Sequence, residues 1–123
     1  MHAHAANVYR RVDLESAPKP QILDRLFARF LTDVEAARAA IQSRDIAAKA
    51  AAIDHGTQIV GELRASLDHL AAPELCANLD ALYGFVAERL GFASLALDVS
   101  FLDQAVTVMA DLRSAFAAAA TVP

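Results

Sequence analysis

A chain of 123 residues with a formal net charge of −4 is long enough for one domain around one core and too short for two ordinary ones. Its 11 Lys and Arg are scattered, Arg10–Arg11 being the one adjacent pair, which argues against a nucleic-acid partner. Hydrophobic residues reach 56%, much of it Ala, with four Gly and four Pro, and no apolar run approaches the roughly 18 residues of a membrane helix.

That composition predicts an all-α protein without membrane insertion. The N-terminus, MHAHAANVYRR, has no apolar segment of signal-peptide length, so the expected location is cytoplasmic. Cys76 is the single cysteine, which removes disulfides and Cys-based zinc sites; it falls on an apolar helix stripe, where a buried, inert thiol is expected.

Residues 1–17 show no helical period and form an N-terminal arm, in which Val8, Tyr9, Val12 and Leu14 sit among polar residues. Pro18 and Pro20 mark the start of a first helix running to about Gln42. At ~100° per residue, Ile22, Leu23, Leu26, Phe30, Val34, Ala37 and Ile41 share its stripe, widened by Phe27 and Leu31. Ser43, Arg44 and Asp45 make a tight link, with Asp45 an N-cap.

The second helix carries a heptad: Ile46, Ile53, Val60 and Leu67 on one seam position, Lys49, Gly56, Leu63 and Leu70 on the other. Gly56 is expected to admit a bulky neighbour, and Lys49 to extend its ammonium to solvent. After a turn at Ala71 and Ala72, Pro73 and Glu74 open a third helix with Leu75, Leu79, Leu82, Tyr83, Val86 and Leu90 on its stripe. Gly91 weakens its end, residues 93–98 form a link, and Asp98 caps a last helix bearing Phe101, Leu102, Ala105, Val106, Val108, Met109, Leu112 and Phe116. Short links force antiparallel neighbours, so the predicted architecture is an up-down-up-down four-helix bundle over residues 18–119, with residues 120–123 as a tail.

Chemistry is sparse. Di-iron bundles use Glu-x-x-His, and the chain has none, so no metal or cofactor is expected. His55 lies opposite the seam of the second helix, as a histidine phosphotransfer domain requires, but such a histidine is usually followed by a Lys and a Gly at set positions, and here Gly56, Thr57, Gln58 and Ile59 come next and no Lys follows. No nucleophile–base constellation and no phosphate loop can be argued. The chain is therefore expected not to be an enzyme. A phosphotransfer module using His55 and a structural or oligomerising bundle are the alternatives.

Partner surface remains. Phe85 and Phe92, seven residues apart, share a face roughly 125° from the centre of the third stripe. They belong either to a wide core or to a groove that takes an amphipathic helix, with Ile59 widening the second helix beside it. The arm is either a folded-down tail or a displaceable cover with Tyr9 as its anchor.

The wording of the chain resembles one family, the FliS flagellar export chaperones. The resemblance rests on Tyr9, Val12, Glu15, Ser16, Ala17, Pro20, Ile22 and Leu23, then Phe27, Phe30 and Leu31. It continues through the link from Ser43 to Ile46. It is strongest from Leu63 through Leu67-Asp68 to Asn78, Leu79, Leu82, Tyr83, Arg89 and Leu90. Family members often carry Gly-Gly before the third helix, where this chain has Ala72-Pro73, and a second aromatic after the position of Tyr83, where it has Gly84.

The resemblance implies a cytoplasmic, non-enzymatic chaperone. Such a protein binds the disordered C-terminal segment of flagellin, prevents premature polymerisation and delivers the subunit to the type III export gate protein. On that reading Val8, Tyr9, Ile59, Phe85 and Phe92 are the expected contacts. Asp68, Asn78, Leu79, Leu82 and Tyr83 are the family-motif positions, serving contact, packing or turn structure. The oligomeric state stays open, a homodimer included.

Overall fold

The computed structural model describes residues 19–121. Four helices fill them: α1 (Lys19–Ser43), α2 (Ile46–Ala65), α3 (Pro73–Ala96) and α4 (Val99–Ala120). Each helix packs on its neighbours in the chain, and α4 returns to α1, closing the square of an antiparallel four-helix bundle.

The α1 stripe buries Leu23, Phe27, Phe30, Val34, Ala37, Ala40 and Ile41. Phe27, expected at its edge, stands at its centre and stacks on Phe116 with ring centroids 5.8 Å apart. Ile22 and Leu26 move to the margin. The first link closes as expected: the Asp45 carboxylate accepts the Ala48 N–H at 3.1 Å. Arg44 turns the chain with φ 59°, a left-handed conformation that a residue with a Cβ adopts at a cost.

The second helix is shorter than its heptad suggests. It stops at Ala65, and the link 66–72 is an ordered turn built on Asp68. One Asp68 carboxylate oxygen accepts both the Leu70 and Ala71 N–H groups at 3.2 Å. Leu67 plugs the core from this link, whereas Leu70 is 96% exposed and not on any seam. At the other end of α2 Ile46 is 52% exposed, so the buried run narrows to Gly56, Ile59, Val60 and Leu63. Lys49 does not reach for solvent: its ammonium donates to the Ser94 carbonyl at 3.1 Å, close to the C-terminal end of α3, where a cation is favoured.

Pro73 and Glu74 open α3 as expected. Its core stripe is Cys76, Leu79, Tyr83, Val86, Leu90 and Ala93, so Leu75 and Leu82 fall outside it, 44% and 38% exposed. The helix runs through Gly91 to Ala96, and the expected long link shrinks to 97–98. Leu97 supplies the left-handed C-cap with φ 53°, and the Asp98 carboxylate accepts the Ser100 N–H at 2.9 Å to start α4.

The rim of the bundle is stitched by ion pairs between α4 and α1 and between α2 and α3. Arg113 grips Asp24 through two bonds of 2.7 and 3.1 Å, and Arg38 meets Asp103 at 2.8 Å, both between α4 and α1. Arg64 grips Asp80 at 2.9 and 3.3 Å between α2 and α3, lying over Gly84. Such exposed pairs fix helix register more than they add stability.

Candidate partner-binding surface

Tracing α3 outward from its core stripe gives a second row one position earlier: Leu75, Asn78, Leu82, Phe85, Arg89 and Phe92. Its steps alternate three and four residues, so the row runs straight along the helix beside the buried one. Leu75, Leu82, Phe85 and Phe92 are 37–44% exposed. Large apolar side chains this exposed, with Asn78 and Arg89 between them, make the row the candidate for a partner surface.

Arg89 organises the row. Its guanidinium carbon stands 4.7 Å from the Phe85 ring centroid, 5.0 Å from Phe92 and 5.7 Å from Phe101 of α4. Phe92 and Phe101 themselves meet with centroids 5.5 Å apart. Nη1 donates to the Gln104 amide oxygen at 3.0 Å and Nη2 to the Glu88 carboxylate at 2.7 Å. The Nε–H is buried without an acceptor. A weakly hydrated guanidinium lies well on aromatic faces, and here it packs against Phe85 and Phe92 of α3 and Phe101 of α4.

The expected contact residues divide. Phe85 and Phe92 lie at the surface, 37% and 40% exposed, outside the buried stripe of α3. Ile59 is a correction: it is 2% exposed and packs in the core, because the buried face of α2 is centred between Gly56 and Leu63 rather than on the 46–53–60 seam. Val8 and Tyr9 lie outside the described residues. Of the motif positions, Leu79 and Tyr83 are core residues, Asp68 builds the α2–α3 turn, and Asn78 and Leu82 sit on the exposed row. Arg89, Phe101 and Gln104 were not anticipated as site residues. The seven-three-seven spacing of Leu75, Leu82, Phe85 and Phe92 was the available signal for the row; the aromatic cage needs α4 in place.

On the α1 side, Ile22, Leu26, Arg25, Arg29 and Ala28 line a surface cavity of about 390 Å³. It is a second, mainly apolar patch, flanked by two cations. Just beyond it, His55 is held rather than free. Its Nδ1 lies 2.6 Å from the Asp33 carboxylate and its Nε2 3.5 Å from an Arg29 nitrogen. A carboxylate only accepts and a guanidinium only donates, so the assigned tautomer carries its proton on Nδ1. The Asp33 carboxylate thus steadies the ring from Nδ1, and the side chain remains 44% exposed. Cys76 is fully buried, and burial followed by the nearby Asp68 carboxylate pushes its thiol above the ordinary value. Among the described residues no cluster of His, Cys, Asp and Glu could hold a metal, and no helix is long and apolar enough to cross a membrane.

The sequence model described as flagellar protein FliS matches residues 1–123. The flagellar secretion chaperone FliSB of Pseudomonas aeruginosa is 30% identical over 114 residues, covering 89% of this chain and 90% of that protein. The flagellar secretion chaperone FliS of Escherichia coli is 29% identical over 119 residues, 93% of this chain and 88% of that protein. Its counterpart in Salmonella typhimurium is 26% identical over the same shares. These relatives are chaperones and not enzymes.

Proposed function

Because the chain belongs to the FliS family of flagellar proteins, with a chaperone role in flagellar export, we propose that its client is the disordered C-terminal segment of flagellin, held in the cytoplasm and delivered to the type III export gate. The observation that carries this reading is the half-exposed row on α3. Leu75, Leu82, Phe85 and Phe92 offer anchors at helical spacing to an amphipathic segment that folds as it binds. The client's own apolar stripe is then covered, which prevents premature polymerisation. The α1 patch of Ile22 and Leu26, diagonal to α3 across the bundle, offers a second contact for a segment that wraps around it.

Ordering a disordered client costs free energy, so a large contact is needed for useful affinity. No nucleotide-binding motif is visible in the sequence, so release rests on competition or on the export machinery.

Titration calorimetry of the full chain with the C-terminal segment of flagellin from the same organism tests the proposal. The expected result is one-to-one binding with a negative heat-capacity change, weakened at least about tenfold by Phe85→Ser with Phe92→Ser. No heat at several temperatures would remove flagellin as the client. Unchanged affinity in the double variant would remove the α3 row as its seat.

A further inference from the structure

His55 and Asp33 form a pair that neither the core nor the α3 row uses. We infer that His55 is a phosphoryl-acceptor site: its Nε2 takes a phosphoryl group from an N-phosphoryl donor, while Asp33 fixes the ring and Arg29 and Arg25 receive the phosphoryl oxygens. The two ring nitrogens are held differently. Nδ1 donates to the Asp33 carboxylate at 2.6 Å, a short charge-assisted bond. Nε2 stands 3.5 Å from the Arg29 nitrogen, at the outer limit of a hydrogen bond, so its lone pair is only loosely held. A carboxylate on one imidazole nitrogen sets the tautomer and leaves the other as the nucleophile. Between the two histidines among the described residues, His55 alone has this carboxylate partner.

The surroundings suit the product. The His55 side chain is 44% exposed and that of Asp33 17%, so the ring is reachable while its anchor is sheltered. The cation that the sequence lacks after His55 comes from the neighbouring helix. Arg29 borders the ring, and with Arg25, one turn earlier on α1, it flanks the cavity of about 390 Å³. Two guanidinium groups at that spacing can share one phosphoryl dianion, which their planar forks fit. The transfer closes without a further reactant. The Nε2 lone pair forms the new N–P bond as the donor's N–P bond breaks, and the donor, protonated at nitrogen, releases a neutral amine or imidazole with the bonding pair. The His55 ring then carries a positive charge. Its Nδ1 proton stays on the bond to Asp33, and that carboxylate offsets the charge. As an ion pair alone, a contact this exposed adds little stability. The inference rests on α1 and α2 and does not depend on the client's identity.

Incubating the full chain with potassium phosphoramidate, followed by mass spectrometry, tests it. His55 should be phosphorylated at least about tenfold faster than His2, His4 and His69, which serve as controls in the same molecule. The product should be stable in alkali, labile in acid, and attached at Nε2 by NMR. Asp33→Asn keeps the shape and removes the charge. It should slow labelling of His55 at least about tenfold and let attachment spread to Nδ1, with helical circular dichroism unchanged. Arg29→Ala should slow labelling too, and Arg29→Lys should restore part of the rate. A purely structural pair would move neither the site of attachment nor this rescue. Labelling of His55 no faster than that of His69, attachment at Nδ1 in the wild type, or a wild-type rate in either Asp33→Asn or Arg29→Ala would overturn the proposal.

Discussion

Tyr83 and Phe85 stand two residues apart on α3 and end in opposite environments. Tyr83 is fully buried among the four helices; Phe85 is 37% exposed under the Arg89 guanidinium. Removing a buried ring leaves a cavity, so Tyr83→Ala should cost about 3–5 kcal/mol. Phe85→Ala, whose surroundings collapse or hydrate freely, should cost no more than about 1 kcal/mol. Urea denaturation followed by circular dichroism separates the two, and equal losses would return Phe85 to the core. In the sequence the angle of Phe85 from the stripe was legible, but it left a wide core and a groove both open. Ile59 was not, because α2 is apolar on several sides and a strict heptad drifts about 20° per repeat against a straight helix. Its true buried face is centred on the Gly56–Leu63 seam and reaches past it to Ile59. The role of Arg89 was hidden for a different reason. Its aromatic cage depends on Phe101 and Gln104, which only the pairing of α3 with α4 brings near.

At the scale of the element, helix existence and order followed from apolar period and breakers, and the caps Asp45 and Asp98 from residue type. The ends were harder. Leu70 continues a heptad that the chain abandons at Ala65, because Asp68 offers the backbone an alternative turn. Gly91 does not end α3, since one glycine weakens a helix by only about 1 kcal/mol and Leu90 and Ala93 hold the turn in the core. Gly56 allows a direct test of this balance. A Cβ built there would lie 3.7 Å from Asp33 Cβ and Leu90 Cδ1 and 3.8 Å from Phe30 Cε1, ordinary contact distances. Gly56→Ala should therefore stabilise the bundle by about 0.5–1 kcal/mol through helix propensity, while Gly56→Leu should destabilise it by overpacking. A lower urea midpoint for the alanine variant would show that α2 needs the gap.

The inter-helix ion pairs set the acid limit. Arg113 holds the Asp24 carboxyl below its usual range through a hydrogen bond, and Arg64 does the same for Asp80. A depressed folded value means that the stabilisation is present above the unfolded value of about 3.9 and is lost as pH falls through the folded value. Both carboxylates are exposed, so each contributes only about 0–1 kcal/mol. The urea midpoint should stay flat on acidification until about pH 5, then fall below about pH 4. Asp80→Asn should shallow that fall; an unchanged slope would assign acid sensitivity elsewhere.

For the whole molecule, the bundle offers a client two apolar patches on diagonal helices: the α3 row of Leu75, Leu82, Phe85 and Phe92, and the α1 patch of Ile22 and Leu26. A client seated on one patch needs only a short helix. A client seated on both must wrap around the bundle, and the larger apolar area then covered makes the heat-capacity change more negative. Ile22→Ser, and Phe85→Ser with Phe92→Ser, should each weaken binding of the flagellin C-terminal segment, the α3 pair by at least about tenfold. Because the patches share no neighbours, the losses should add in free energy when the variants are combined. Calorimetry at several temperatures reads both quantities. Unchanged affinity in Ile22→Ser, with the α3 loss intact, would confine the client to the α3 row.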